Sequence, residues 1–366
     1  MLELEQILEE NAQVPRFYTL TNADGKCWVV PARGMRTAML LYQPSGPKGK
    51  LLKRLFPWLH ALPPVRRVLH TEPVSYRLAD DLQELVDALF GARAEWALFG
   101  GTPCVHQKAT LQFWLEGKIL GYLKLCNHRD VFRLFEHEQA VLDELNAAGV
   151  RGIPRCLGCG ELREGLWYFA QSTVKTAGSR VPHEWSGLQA AFLLRLAQKT
   201  QRVCAFEDTD FYASMLMLQE HLDWLPDGAL PVVQAALDEV LGFYVGRNVT
   251  FCACHGDFTP WNMFVEQGEL FVFDWEYAGQ TYPPGIDYYH FVTQSAIFEQ
   301  HADAAQIWEL MQPHLAAHAD NRLKYACYLL DALSRYTLRE QGSPGATALS
   351  CMNIWICLLD RILKDK

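Results

Sequence analysis

Hydrophobic and polar positions set out the first half of the chain as strands and most of the second half as helices. Residues 96–99, 106–115 and 118–126 form three β-rich runs, separated by Gly100-Gly101-Thr102-Pro103 and Glu116-Gly117-Lys118. This predicts an antiparallel meander. Lys124 alternates with apolar neighbours in Gly121-Tyr122-Leu123-Lys124-Leu125, so its ammonium projects from a strand. The period then lengthens. Val131, Leu134, Phe135, Val141, Leu142 and Leu145 recur at helical spacing across 131–146, with Asp130 as N-cap and Ala148-Gly149 as the stop. Residues 166–171 return to a strand-like apolar run. Helical periods follow at 188–203, 211–222 and 230–244, then a strand at 248–252. Residues 263–265 and 270–273 predict two short strands around the turn Glu266-Gln267-Gly268-Glu269. Residues 303–366 are helical, with Trp308, Leu310, Leu323, Tyr325, Leu329, Leu330 and Leu333 as core candidates.

Residues 1–70 have their own character. Strands are expected in 17–30 and 39–42, the first around the hairpin signal Asn22-Ala23-Asp24-Gly25. Pro44-Ser45-Gly46-Pro47 breaks the chain. Residues 48–59 are basic and apolar together, with Arg66-Arg67 beyond Pro63-Pro64. Such a segment suits contact with an anionic membrane surface or a lipid-linked substrate. Its interruption by Pro57 favours ordinary packing instead.

Composition narrows the classes. A chain of 366 residues, half of them hydrophobic, has room for two lobes and a substantial core. Its net charge of −9 argues against general nucleic-acid binding. The acidic start Met1-Leu2-Glu3-Leu4-Glu5 lacks the positive n-region of a signal peptide, and no uninterrupted apolar run approaches a transmembrane span. A cytoplasmic location is expected. The 11 cysteines show no framework spacing. Cys156-Leu157-Gly158-Cys159 has C-x-x-C spacing, but Cys252-Ala253-Cys254 is wrongly spaced to complete a zinc site, so reduced thiols are expected.

The chemistry concentrates in His255-Gly256-Asp257-Phe258-Thr259-Pro260-Trp261-Asn262, with Asp274-Trp275-Glu276 beginning 12 residues after the Asn. Phosphoryl transfer needs a carboxylate to accept the proton of an attacking hydroxyl, and an amide oxygen and second carboxylate to hold Mg²⁺ against phosphates. An Asp and an Asn on a loop, with a second Asp at the end of the following hairpin, supply those groups on a β frame.

These residues resemble the signature of the aminoglycoside phosphotransferase and choline kinase family, the phosphotransferase enzyme family. Its distant relatives, the protein kinases, carry H-R-D-x-x-x-x-N and D-F-G in the same roles. Gly256 in place of the Arg points to the small-molecule branch. The resemblance implies a two-lobed, protein-kinase-like α+β fold, with a small antiparallel-sheet N-lobe and a larger, mainly helical C-lobe. Residues 71–172 would be the ATP-binding lobe, 173–366 the lobe with the catalytic loop and acceptor wall, and 1–70 an N-terminal extension of unassigned role.

By the same resemblance Asp257 is the catalytic base, His255 supports the loop, and Asn262 and Asp274 bind Mg²⁺. Lys124 faces the ATP phosphates and pairs with Glu138; Glu136 is the competitor, and Glu138 is preferred because it stands just before Ala140-Val141-Leu142. The glycine loop G-x-G-x-x-G is missing, leaving Gly100, Gly101 and Thr102 to cradle phosphate. Gln171, Ser172, Thr173 and Val174 fall at the adenine-binding hinge. Asp287 matches an Asp that caps a helix and braces the catalytic loop. Glu184, Asp208, Asp210, Asp223 and Asp227 would suit an acidic pocket for an amine-bearing acceptor, although such residues are usually solvated surface.

The function implied is transfer of the γ-phosphoryl group of ATP to a hydroxyl of a small acceptor: a sugar, an aminoglycoside, an amino alcohol or a glycan-linked group. A protein kinase-like enzyme is the alternative, disfavoured because Asp274-Trp275-Glu276 replaces D-F-G and no A-P-E follows. A catalytically silent nucleotide-binding scaffold is opposed by retention of Lys124, Glu138, Asp257, Asn262 and Asp274.

Overall fold

The strand-rich first part folds as one antiparallel sheet, and the helix-rich second part as a separate compact unit. The computed structural model describes residues 2–11, 16–22, 24–44, 46–71, 73–104 and 106–365. One unit comprises Met1–Asp143 with Ile153–Arg180, the other Glu144–Gly152 with Val181–Lys366. This is the α+β architecture expected, with a curled antiparallel sheet ahead of a helical part.

In the first unit the strands are β1 (Leu8–Glu10), β2 (Arg16–Thr21), β3 (Cys27–Pro31), β4 (Pro73–Leu78), β5 (Glu95–Phe99), β6 (Ala109–Leu115), β7 (Lys118–Cys126), β8 (Cys156–Arg163) and β9 (Leu166–Ser172). They lie in the order β1-β4-β2-β3-β5-β6-β7-β9-β8. Residues before 79 therefore extend the β5-to-β8 sheet by four strands at its β5 edge. Alternation gives the sheet two apolar faces. Val29, Leu98, Leu111, Phe113, Leu123 and Leu125 share one face with Leu82 and Val86 of the helix Asp80–Phe90. Trp28, Val30, Ala97 and Trp114 share the other with Met35, Ala38, Met39 and Phe56. Each large side chain so buried contributes about 1.5–3 kcal/mol.

Several expectations are corrected here. Residues 39–42 are not a strand: Gly34 at φ 71° opens the short helix Met35–Ala38, and Met39 packs on the sheet from its end. The run starting at residue 106 pairs only from Ala109. Pro57 does not interrupt its segment, because the helix Pro47–Leu59 runs through it and forgoes one backbone bond near its end. Asp130 lies inside the first turn of the helix Arg129–Ala147 and does not cap it. The hairpin signal at 22–25 includes residue 23, which lies outside the described residues; Asn22 still accepts from Gly25 N and donates to Lys26 O.

The second unit is built around the helix Asp320–Glu340. Tyr325, Leu329, Leu330 and Leu333 pack with Phe211, Met215, Leu237, Val240 and Trp355. Its strands are β10 (Arg202–Ala205), β11 (Asn248–Cys254), β12 (Met263–Glu266), β13 (Glu269–Val272) and β14 (Gly279–Tyr282). They form a β10-β11-β14 sheet and the hairpin β12-β13. The helical period at 188–203 ends earlier than predicted: the helix stops at Thr200, and residues 202–205 pair with β11. Among the described residues one helix, Ala346–Lys364, has the length and hydropathy to cross a membrane, although Asp360 and Arg361 interrupt its apolar run. It packs as a core helix, with Cys351, Met352, Trp355, Leu358, Leu359 and Ile362 buried in the second unit.

Candidate functional site

Strand β11 is polar at Asn248 and Thr250 and buried from Phe251 to Cys254, so it enters the core and delivers the chain to His255. The loop ends at Asn262, where β12 begins. Pairing of Met263 with Val272 brings the far end of the hairpin back, and Phe273 N donates to Asn262 O at 3.0 Å. Asp274 is thus one residue beyond the position facing Asn262. Its φ of 70° lies in the left-handed region, which costs a residue with a side chain about 1–2 kcal/mol. The next residue clamps that bend: Trp275, fully buried, donates from Nε1 to Val272 O at 3.0 Å.

Asp257 is held from both sides. Asn262 Nδ2 donates to Asp257 Oδ2 at 2.7 Å and to its backbone O at 3.0 Å. His290 Nε2 donates to Asp257 Oδ1 at 3.0 Å. An ionised carboxylate only accepts, which places the His290 proton on Nε2. Burial alone would push the Asp257 carboxyl up. The hydrogen bond from His290, with the nearby His290 and His255 rings, outweighs it and holds the carboxyl below the usual aspartate value. The group is therefore ionised through the neutral range. Because Asn262 spends its amide N–H on Asp257, its Oδ1 is directed away, as a cation ligand requires.

His255 fixes the loop from beneath. Asp257 N donates to its Nδ1 at 3.2 Å, so Nδ1 is the acceptor and Nε2 carries the proton given to Phe273 O at 3.0 Å. Burial lowers its pKa and keeps the ring neutral in that tautomer. The Trp275 ring packs 4.6 Å from it, which accounts for a Trp following Asp274. Asp287, buried on the helix Ile286–Phe298, accepts from His255 N at 2.8 Å and Gly256 N at 3.2 Å. Gly256 has φ 77°, and a Cβ there would lie 2.0 Å from Tyr277 O. Only glycine fits between those two constraints. Arg335 donates to Gly256 O and pairs with Asp331 at 2.6 Å, while Ser214 Oγ donates to Asp331 at 2.8 Å.

The first unit holds the other predicted residues. Lys124 faces opposite to Leu123 and Leu125, and its Nζ lies 2.8 Å from Glu138 Oε2, both side chains buried. Glu136 is exposed, which decides between the two glutamates. Gly100 N donates to Cys27 O at 2.8 Å, so that amide is already used within the sheet. Gly101 has φ 83°, and a Cβ would meet Lys108 O at 2.1 Å; Thr102 is exposed beside it. Gln171 is buried opposite Tyr122 of β7. Ser172 N donates to Arg155 O at 3.0 Å, and Thr173 Oγ1 accepts from Lys175 N at 3.2 Å.

Sequence reasoning missed His290 and the Arg335–Asp331 pair. His290 stands three residues after Asp287 on one helix, hence on its face, and Asp331 and Arg335 are i,i+4 on the helix Asp320–Glu340, Asp331 within its buried stretch Tyr325–Ser334. Those spacings were the available signals. Of the five acidic residues considered for a pocket, Asp210 is engaged structurally, accepting from Gln280 N at 2.7 Å and Thr281 N at 3.2 Å.

His290→Ala removes a hydrogen bond to a charged group, a loss of about 1.5–3 kcal/mol. Turnover should fall roughly tenfold or more. The Asp257 carboxyl would rise, moving the acid limb of the kcat/KM profile to higher pH. An unshifted limb would show that His290 does not set the ionisation of Asp257.

The chain matches the profile of the phosphotransferase enzyme family over residues 111–312, more than half its length. No curated protein sequence matches it. Among solved structures it resembles amicoumacin kinase hAmiN in complex with AMP-PNP, Ca²⁺ and Ami, at 15% identity and TM-score 0.50, covering 77% of this chain and 94% of that one. It also resembles a thermostable mutant of aminoglycoside phosphotransferase APH(4)-Ia, at 17% identity, TM-score 0.49 and coverage of 77% and 98%. Choline kinase LicA from Streptococcus pneumoniae matches at 13%, 0.47, 76% and 98%.

Proposed function

The chain belongs to the phosphotransferase enzyme family, and we propose that it transfers the γ-phosphoryl group of ATP to a hydroxyl of a small-molecule acceptor. The observation that carries this reading is the Asp257 carboxylate, ionised and fixed between Asn262 and His290. A carboxylate so held can orient an acceptor hydroxyl and receive its proton, which is what a loose phosphoryl-transfer transition state asks of the protein.

The donor set suits a hard divalent cation such as Mg²⁺: an amide oxygen on Asn262 turned away from Asp257, and the Asp274 carboxylate next along the hairpin. When bound, the nucleotide brings the phosphoryl group, and its cation neutralises charge that would otherwise repel these carboxylates. Lys124, steadied by Glu138, provides the fixed ammonium for phosphate oxygens. Thr173, just beyond the end of β9, would offer main-chain groups to the adenine, since those of Gln171 and the Ser172 N–H are engaged in the sheet and with Arg155. Eleven free cysteines suit a reducing compartment, and we place the reaction in the cytoplasm.

ATP should raise the melting temperature of the wild type with Mg²⁺ and far less without it, and Asp274→Ala should remove that difference. A labelled-ATP screen over sugars, amino alcohols and aminoglycosides would then identify the acceptor. No ATP binding by calorimetry at about millimolar nucleotide, a concentration that detects even a weak site, would sink the kinase reading.

A further inference from the structure

Residues 25–71 carry nine basic residues and no acidic one, which leaves 24 basic against 42 acidic in the rest of the chain. The same stretch contains the helices Pro47–Leu59 and Pro63–Val68. The longer helix has two apolar stripes. Leu52 and Phe56 face the sheet, with Phe56 buried. Leu51, Leu55 and Trp58 recur at i, i+4 and i+7 on another stripe, with Leu62 continuing the spacing, and they are 58%, 40%, 66% and 48% exposed. Val68 follows at 76%. Lys48, Lys50, Arg54 and Arg67 are exposed around them, and none forms an ion pair among the described residues. Arg36 lies over the Trp58 ring, 3.8 Å from its centroid, adding a further charge to the same face.

We propose that Pro47–Val68 is a docking surface for an anionic lipid bilayer. Leu51, Leu55, Trp58 and Leu62 would enter the interface, while Lys48, Lys50, Arg54 and Arg67 meet lipid phosphates. Charge complementarity identifies an anionic partner, and the exposed apolar stripe selects lipid among anionic partners. A nucleic-acid surface would set its basic residues among polar ones, since bulky aliphatic side chains gain nothing against a phosphate backbone. The arrangement is that of an interfacial amphipathic helix, with its opposite stripe anchoring it to the protein. This inference stands apart from the kinase reading.

The test is co-sedimentation of the full chain with phosphatidylcholine vesicles, with or without about 30% phosphatidylglycerol, at roughly 0.1 M salt and again at higher salt. Anionic vesicles should bind at least tenfold better than neutral ones, and salt should weaken that preference. The triple variant Leu51→Ser, Leu55→Ser, Trp58→Ser should lose tenfold or more while remaining folded, with at most a few degrees' fall in melting temperature, because all three side chains are largely exposed. Lys48→Glu, Lys50→Glu, Arg54→Glu should abolish the preference for anionic vesicles. Failure of the wild type to pellet, or pelleting by the triple variant as by the wild type, would overturn the proposal. So would tight binding to duplex DNA that ignores the apolar substitutions, or a dimer that they dissociate.

Discussion

Asp257→Asn should lower kcat by about two to four orders of magnitude, the range of general-base loss, with little change in nucleotide affinity. The structure makes this substitution a clean probe. An Asn at 257 can turn its Oδ1 toward the Asn262 amide, which donates at 2.7 Å. Its own amide would then face His290 Nε2. That nitrogen can become an acceptor if the proton moves to Nδ1, which has no hydrogen-bond partner now. The loop therefore keeps its shape at a modest cost in stability, since an N–H at Nδ1 has no acceptor and the ionised carboxylate's contribution is lost, while the charge and basicity at 257 disappear. Ionisation supplies a second check. The Asp257 carboxyl sits below the ordinary aspartate value, so it favours the fold above the unfolded pKa of about 3.9, and that contribution is lost as pH falls through the lower folded value. Its activity should accordingly be flat through the neutral range. Near-wild-type turnover by Asp257→Asn on the identified acceptor would mean that another group takes the proton.

The parts of this site legible in the sequence are those set by local spacing. A four-residue turn between short apolar runs fixed the pairing of Met263 with Val272, and with it the nearness of Asn262 to Asp274. Lys124 and Glu138 were readable because each lies on a regular element whose period says which way it points. The groups that hold the loop come from far along the chain, where period says nothing about contact. His290 is 33 residues from Asp257, and Arg335 is 79 from Gly256. The extension shows the same limit in backbone form. Its hairpin was visible at 22–25, but the insertion of β4 between β1 and β2 depends on pairings across more than 50 residues. The two apolar stripes of Pro47–Leu59 explain why packing and surface contact both looked reasonable for that segment, since each reading describes a different face.

Asp287→Ala should damage stability and rate together, unlike the substitution at 257. Asp287 is 4% exposed, and its two oxygens take the N–H groups of His255 and Gly256, both of which lie in a buried stretch. Removing the carboxylate leaves two buried donors unpaired at about 1–3 kcal/mol each. For a unit of this size that corresponds to a fall in Tm on the order of 10 °C. Asp287→Asn should fall between the two, because its oxygen can satisfy one N–H while its amide opposes the other. The same two bonds aim the loop. Gly256 is already pinned by Tyr277 O on one side and Arg335 on the other, so freeing its N–H lets the peptide rotate and carries Asp257 off its position between Asn262 and His290. Misplacing a reacting group by about 1 Å costs on the order of a hundredfold in rate. With Asp287 engaged by two backbone N–H groups, a bracing role predicts that the pH profile of the residual activity keeps its wild-type shape. A variant with wild-type Tm but a displaced pH profile would reverse that assignment and make Asp287 part of the acid–base chemistry.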